Sequence, residues 1–152
     1  MTEKDMHAMT EIFGNLFYLT NKLQTMVDQE FEPYGFTAKQ WFLMVVITRF
    51  FDSPPKLSDL TEYMGSSYQN IKQLAVKLEN NGFVEIQKDP SDKRVLRIAL
   101  TEKCTTFWTE HQNEDLKFMN ALFDSYSSEE LQNFYAYIEK LSASVKRMEE
   151  KL

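Results

Sequence analysis

The sequence predicts a mainly α-helical chain with one small β-hairpin: a helix-turn-helix core, then the hairpin, with a long amphipathic helix at either end. Three observations carry that reading. Apolar residues recur every three or four positions through most of the 152 residues, one stretch at 83–100 switches to alternation about a charged turn, and Ser, Thr, Gly and Pro punctuate the boundaries. With 43% hydrophobic residues, a chain of this length can bury a substantial core as one domain.

In the first helix Ile12, Leu16, Leu19, Leu23, Met26 and Phe31 recur at heptad-like spacing, and Phe13, Phe17 and Val27 widen the stripe. Thr37 and Gln40 have capping-box spacing ahead of Trp41-Phe42-Leu43-Met44-Val45-Val46-Ile47, a helix apolar nearly all round and therefore central. Asp52-Ser53-Pro54-Pro55 ends it, since proline cannot continue a helix.

Ser58 is expected to cap the next, short helix, whose Leu57, Leu60 and Met64 share a side, and Gly65 stops it. Ser66 and Gln69 then have capping-box spacing, so another helix begins near Ser67. Ile71, Leu74, Ala75 and Leu78 face inward, while Gln69, Asn70, Lys72, Gln73 and Lys77 point away. That outward face is amide and lysine, which suits a major groove: Asn and Gln pair with adenine, and Lys reaches guanine or phosphate. On a lone helix the same face is simply solvated; the hairpin that follows gives it a context.

Asn80-Asn81-Gly82 closes the helix, and 83–88 and 95–100 read as two strands. Between them lies the charged tip Lys88-Asp89-Pro90-Ser91-Asp92-Lys93-Arg94. Lys93 and Arg94 can enter a minor groove, with Asp92 steering the Arg94 guanidinium by an ion pair. Thr101 caps a long linking helix to about Ser125, carrying Phe107, Trp108, Phe118, Leu122 and Phe123. Ser127 and Glu130 box the start of the last helix, with Leu131, Phe134, Ile138, Leu141, Val145 and Met148 in its stripe and Tyr135 and Tyr137 beyond it. Either terminal helix alone could pack within its own chain; two of them favour a two-fold homodimer.

The run Leu74 to Val84, followed by Asp92-Lys93-Arg94 and Leu100-Thr101, resembles the winged helix-turn-helix core of the MarR family of bacterial transcription regulators. The resemblance covers most of the chain. It implies dimerisation helices at about 1–36 and 102–152 around a DNA-binding lobe at about 37–101. It also implies a homodimer on a pseudo-palindromic operator, usually a repressor, often released by a small molecule. By the same resemblance Gln69, Asn70, Lys72, Gln73, Lys77 and Arg94 contact double-stranded DNA, and Ser67 and Lys93 beside them are expected to join that contact. Two positions depart from the family pattern: Gln73 stands where many members have Arg, and Cys104 where Gly is common.

The net charge of −6 is unevenly spread. From Tyr68 to Lys103, seven basic residues (Lys72, Lys77, Lys88, Lys93, Arg94, Arg97, Lys103) meet five acidic ones (Glu79, Glu85, Asp89, Asp92, Glu102), a local +2 that leaves −8 elsewhere. Such asymmetry directs a polyanion to one lobe. A winged-helix interaction module without operator binding is the competing reading, favoured by the acidic balance and by Gln73.

Aromatic residues reach 14%, and most are expected to fill the core. Phe17, Tyr34, Trp41, Phe42 and Trp108 are the candidates to line a pocket for a small apolar or aromatic effector. Catalysis has little support: His7 and His111 stand apart, and there is no phosphate loop, nucleophile elbow or Cys-x-x-Cys pair, so neither enzyme, metal nor cofactor is expected. Cys104 reads as a small inert replacement for Gly rather than a redox sensor. No apolar run approaches a membrane span, and MTEKDMHAMTEIFGN lacks the regions of a secretory signal, so a cytoplasmic location is expected.

Overall fold

The computed structural model describes residues 2–151; Met1 and Leu152 of the terminal segments lie outside it. Six α-helices, one 3-10 turn and one antiparallel hairpin follow in the order α1 (Glu3–Phe31), the turn Glu32–Tyr34, α2 (Ala38–Phe50), α3 (Leu57–Met64), α4 (Tyr68–Asn80), β1 (Val84–Lys88), β2 (Leu96–Leu100), α5 (Glu102–Leu122) and α6 (Ser128–Glu149). By packing, the chain forms two compact units, Met1–Trp108 and Thr109–Leu152.

Boundary chemistry accounts for the element ends. Thr37 accepts the Gln40 N–H while the Gln40 side chain accepts the Thr37 N–H at 2.8 Å, the expected box at the start of α2. Gly65 (φ 54°) and Gly82 (φ 77°) end α3 and α4 in the left-handed region, where a side chain would strain the backbone. Two caps differ from expectation. α3 begins one residue before Ser58, and its first turn is held by Asp59, whose carboxylate accepts the Lys56 N–H at 3.1 Å. The α4 cap is Ser67, accepting the Asn70 N–H at 3.3 Å, rather than the Ser66 and Gln69 pair. In both cases several Ser, Asp or amide candidates lie within one residue of each other, and spacing alone does not choose among them.

The core of the first unit is assembled by Leu43, Met44 and Val46 of α2, Leu57 and Leu60 of α3, Ile71, Ala75 and Leu78 of α4, Val84 and Ile98 of the hairpin, and Cys104 and Phe107 of α5. Phe31 and Phe36 close it in a stacked pair with centroids 4.8 Å apart. Each buried Leu or Ile removes enough apolar surface from water to contribute about 2 kcal/mol, so this cluster fixes how α4 is presented. β1 and β2 pair in register from Val84↔Leu100 to Lys88↔Leu96. The α2–α3 linker is tied to β2: Lys56 bridges Arg97, and Pro55 O accepts the Ile98 N–H at 3.0 Å, so the linker adds a third short edge to the sheet.

The terminal helices are built differently. Of the residues in α1 only Phe31 is buried, and Ile12, Phe13, Phe17, Leu19 and Met26 are exposed. In the second unit α6 starts at the Ser127–Glu130 box but buries no residue, and Phe134, Leu141, Val145 and Met148 of its stripe are exposed.

Candidate nucleic-acid interface

α4 presents its polar face as its capping and core contacts dictate. Ile71, Ala75 and Leu78 are buried and Leu74 half-buried, so Gln69, Asn70, Lys72, Gln73 and Lys77 are all carried outward and exposed. Ser67 is exposed at the helix start, where its hydroxyl cap is worth about 1 kcal/mol. Tyr68 and Val76, absent from the predicted set, are exposed on the same helix. An open concavity of about 300 Å³ on this face is lined by Gln69, Lys72, Gln73, Val76 and Lys77.

The wing tip is ordered by two carboxylates. Asp92 accepts the Arg94 N–H at 3.0 Å and Nε–H at 3.1 Å through Oδ1, and Nη2 at 3.1 Å through Oδ2, the steering pair expected from the sequence. The Arg94 side chain is nonetheless 91% exposed, so the guanidinium is aimed and remains accessible. The Arg94 side chain, then its backbone N–H, hold the Asp92 carboxyl below the ordinary carboxylate range. Lys93 beside it is exposed.

Asp89, expected only as one residue of the charged tip, is buried at 6% exposure. Its Oδ1 accepts the Ser91 and Asp92 N–H groups at 2.8 and 3.1 Å, an Asx-type turn, and its Oδ2 accepts Arg97 Nε–H. Arg97 Nη1 donates onward to Pro54 O at 2.7 Å, tying the wing to the α2–α3 linker. The Arg97 side chain first, then the two backbone donors, lower the Asp89 carboxyl to about 2. An Asp two residues before Ser91 and an Arg within a strand were the available signals.

Charge is therefore less freely available than the local count implies. Arg97 is committed to Asp89 and Pro54 O, and Lys103 donates to Asn81 O at 2.7 Å while lying 4.7 Å over the Phe83 ring. Lys72, Lys77, Lys88 and Lys93 enter no ion pair among the described residues.

Of the five aromatic pocket candidates, the structure gathers three. Trp41 and Trp108 flank Phe31 at 6.1 and 6.5 Å, and Tyr34 meets Phe107 edge-on at 4.9 Å. Phe17 pairs instead with Phe13 at 5.1 Å, fourteen residues and hence about 21 Å of helix from Phe31. Phe42 is exposed on α2. A surface concavity of about 430 Å³ lies nearby, lined by Thr25, Asp28, Gln29, Glu32, Gly35, Phe36 and Thr37, none of them among the five. Cys104 is fully buried with Sγ 3.7 Å from Met44 Sδ, and burial raises its thiol pKa, the condition of an unreactive packing residue. Among the described residues no helix is long and apolar enough to cross a membrane.

No family model matches the chain. Among curated proteins it is similar to the transcriptional activatory protein BadR of Rhodopseudomonas palustris, 21% identical over 147 residues, covering 95% of this chain and 84% of BadR. It is also 23% identical to the uncharacterized HTH-type transcriptional regulator YsmB of Bacillus subtilis, over 97% of this chain and 99% of that one. Among solved structures, a MarR transcriptional regulator from Methanosarcina mazei superposes with a TM-score of 0.80 at 22% identity, covering 91% of this chain and 99% of that chain. The S. aureus MepR–DNA complex superposes at 0.75 and 18% identity, over 88% and 97%. The fold is that of the MarR regulators, as the Leu74–Val84 and Asp92–Arg94 motifs implied.

Proposed function

We propose that the chain is a sequence-specific DNA-binding transcription regulator, working as a cytoplasmic homodimer whose α4 helices read major-groove base edges and whose wings enter the flanking minor grooves. The observation that carries this is the combination of an exposed amide and lysine face on α4 with an aimed, exposed Arg94 at the wing tip, on a fold that one neighbour uses in complex with DNA. Gln69 and Asn70 are the base readers, Ser67 and Lys77 meet the backbone, and Lys72 and Gln73 complete the face. Arg94 reads minor-groove potential, Lys93 adds charge and Asp92 positions Arg94.

In this reading α1 (to about residue 36) and the region from about 102 onward form the dimer lobe around the DNA-binding lobe at 37–101. The support is the exposed apolar stripes of α1 and α6, which a second copy would cover. The protein acts as a repressor, released when a small apolar or aromatic effector settles against Trp41, Trp108 and Tyr34. Trp41 and Trp108 are the chain's two tryptophans, so effector binding would register as a change in intrinsic fluorescence.

The decisive experiment is a gel shift over several salt concentrations with DNA from upstream of the chain's own gene, paired with light scattering and in vitro transcription to read the sign of regulation. Salt-sensitive retention of that DNA over random duplex by a dimer supports the reading. A monomer by light scattering removes the dimer, and equal retention of random duplex removes sequence reading. No retention at low salt promotes the interaction-module alternative.

A further inference from the structure

We propose that Lys39 and Lys77 together bind a phosphodiester of the DNA backbone, at a site beside the base-reading face; this rests on the DNA-binding reading above. The two ammonium groups come from different helices, Lys39 from the first turn of α2 and Lys77 from the last turn of α4. They line one concavity of about 240 Å³ with Ser66, Asn70, Gln73 and Leu74. Neither lysine enters an ion pair among the described residues, and no carboxylate lines the concavity. Two uncompensated cations facing one recess raise its potential and draw an anion into it.

The location of Lys39 strengthens the case. A helix N-terminus carries partial positive charge, so a lysine there opposes helix stability and gains only from a nearby anion. The carboxylate at the start of α2, Asp28, is engaged through Oδ1 by the Ala38 N–H at 2.7 Å and forms no ion pair with Lys39 among the described residues, so the lysine is left to face the recess. The Ser66 hydroxyl and the Gln73 amide add neutral donors of the kind phosphate oxygens accept.

Continuity with the reading face favours a duplex phosphate over a free anion. The recess shares Gln73 and Lys77 with the concavity on the outward face of α4, so an anion held there lies alongside whatever α4 reads. Lys39 then fixes the register of the helix in the groove without reading sequence itself.

The test is a set of fluorescence-anisotropy titrations over a salt series, on a preferred duplex and on random duplex, with wild type, Lys39→Ala, Lys39→Arg and Arg94→Ala. Lys39→Ala is expected to weaken both duplexes by the same factor and to flatten the slope of log affinity against log salt by about 1 per protomer. Lys39→Arg should restore the slope. A neutral methylphosphonate scanned along the duplex should find a position that costs wild type more affinity than it costs Lys39→Ala, in which only Lys77 still meets that phosphate. Unchanged affinity and slope in Lys39→Ala, with Arg94→Ala still impaired, overturns the site and leaves the DNA reading standing. Failure of wild type to bind either duplex overturns both. Saturable binding of inorganic phosphate to DNA-free protein at constant ionic strength, followed by NMR of the Lys39 side chain, would assign the recess to a free anion instead and so overturn the phosphodiester.

Discussion

The wing contains two Arg–Asp pairs that are chemically alike and physically opposite. At its tip, Arg94 and Asp92 are joined by three hydrogen bonds, with side chains 91% and 41% exposed. At its base, Arg97 and Asp89 are joined with side chains 30% and 8% exposed, and each partner also serves the backbone: Asp89 takes two N–H groups of the turn and Arg97 gives one bond to Pro54 O. An ion pair in water contributes little to stability, whereas breaking a covered one strands a charge. The base pair therefore holds the hairpin in shape, and the tip pair aims a cation that a partner can still reach. One motif can be structural or functional according to its exposure alone.

The sharpest way to break this comparison is to remove the base. Arg97→Met leaves the Asp89 carboxylate with backbone donors only and cuts the tie to Pro54. Amide exchange across 84–100 should accelerate, and affinity for preferred and random duplex should fall together by more than about ten-fold, the scale of losing one good contact. Hydrogen-exchange mass spectrometry showing wild-type protection in Arg97→Met would mean that the base pair does not hold the wing.

Acid should do the same work without mutation. The folded Asp89 carboxyl lies at about 2, below its ordinary 3.8, so its contribution to stability is fully present above the ordinary value and is lost as pH falls through the folded one. Hairpin NMR shifts of the DNA-free protein should thus be flat from neutrality down to about pH 5 and change between roughly 4 and 2. In Arg97→Met, where the first cause of the lowering is gone, that transition should move upward. A wild-type midpoint at or above the ordinary aspartate value would contradict the arrangement at Asp89.

Removing the tip arginine should leave the hairpin untouched and cost function only. Arg94→Ala is expected to lower affinity for the preferred duplex by about ten-fold, most on A·T-rich flanks where the minor groove narrows. Lys93→Ala should cost less. Exchange rates and dimer mass should match wild type, and equal binding by wild type and Arg94→Ala at moderate salt would remove the wing from the mechanism.

The contrast also shows what sequence could reveal. Residues whose role follows from near neighbours were legible: the Thr37–Gln40 and Ser127–Glu130 boxes, Gly65 and Gly82 as helix stops, and the Asp92–Arg94 pair two positions apart. So was the inward set of α4, because a 3.6-residue period sorts faces without any tertiary knowledge. The partners of Arg97 were not legible, since Pro54 is 43 residues away and only the fold brings that carbonyl to the wing. Lys39 escaped for the same reason: α2 and α4 must pack before it shares a recess with Lys77. Among the aromatic candidates, helix rise already sets Phe17 far along α1 from Phe31, but nothing short of the tertiary fold says that Trp41 and Trp108 gather around Phe31.

The smallest expected effect is the most discriminating. Asp92→Ala frees the Arg94 guanidinium, so the side chain must be ordered on binding rather than beforehand, and affinity should fall about two- to three-fold, less than in Arg94→Ala. Against this runs the loss of a negative charge beside the phosphates, which favours binding and weakens as salt rises. At moderate salt the ordering cost should win; at low salt the two should nearly cancel. In the Arg94→Ala background Asp92→Ala should bring no further loss, because there is nothing left to aim, and a double-mutant cycle measures that coupling directly. If Asp92→Ala binds more tightly than wild type at every salt concentration, charge relief outweighs orientation, and the exposed pair at the wing tip is a restraint on Arg94 rather than its support.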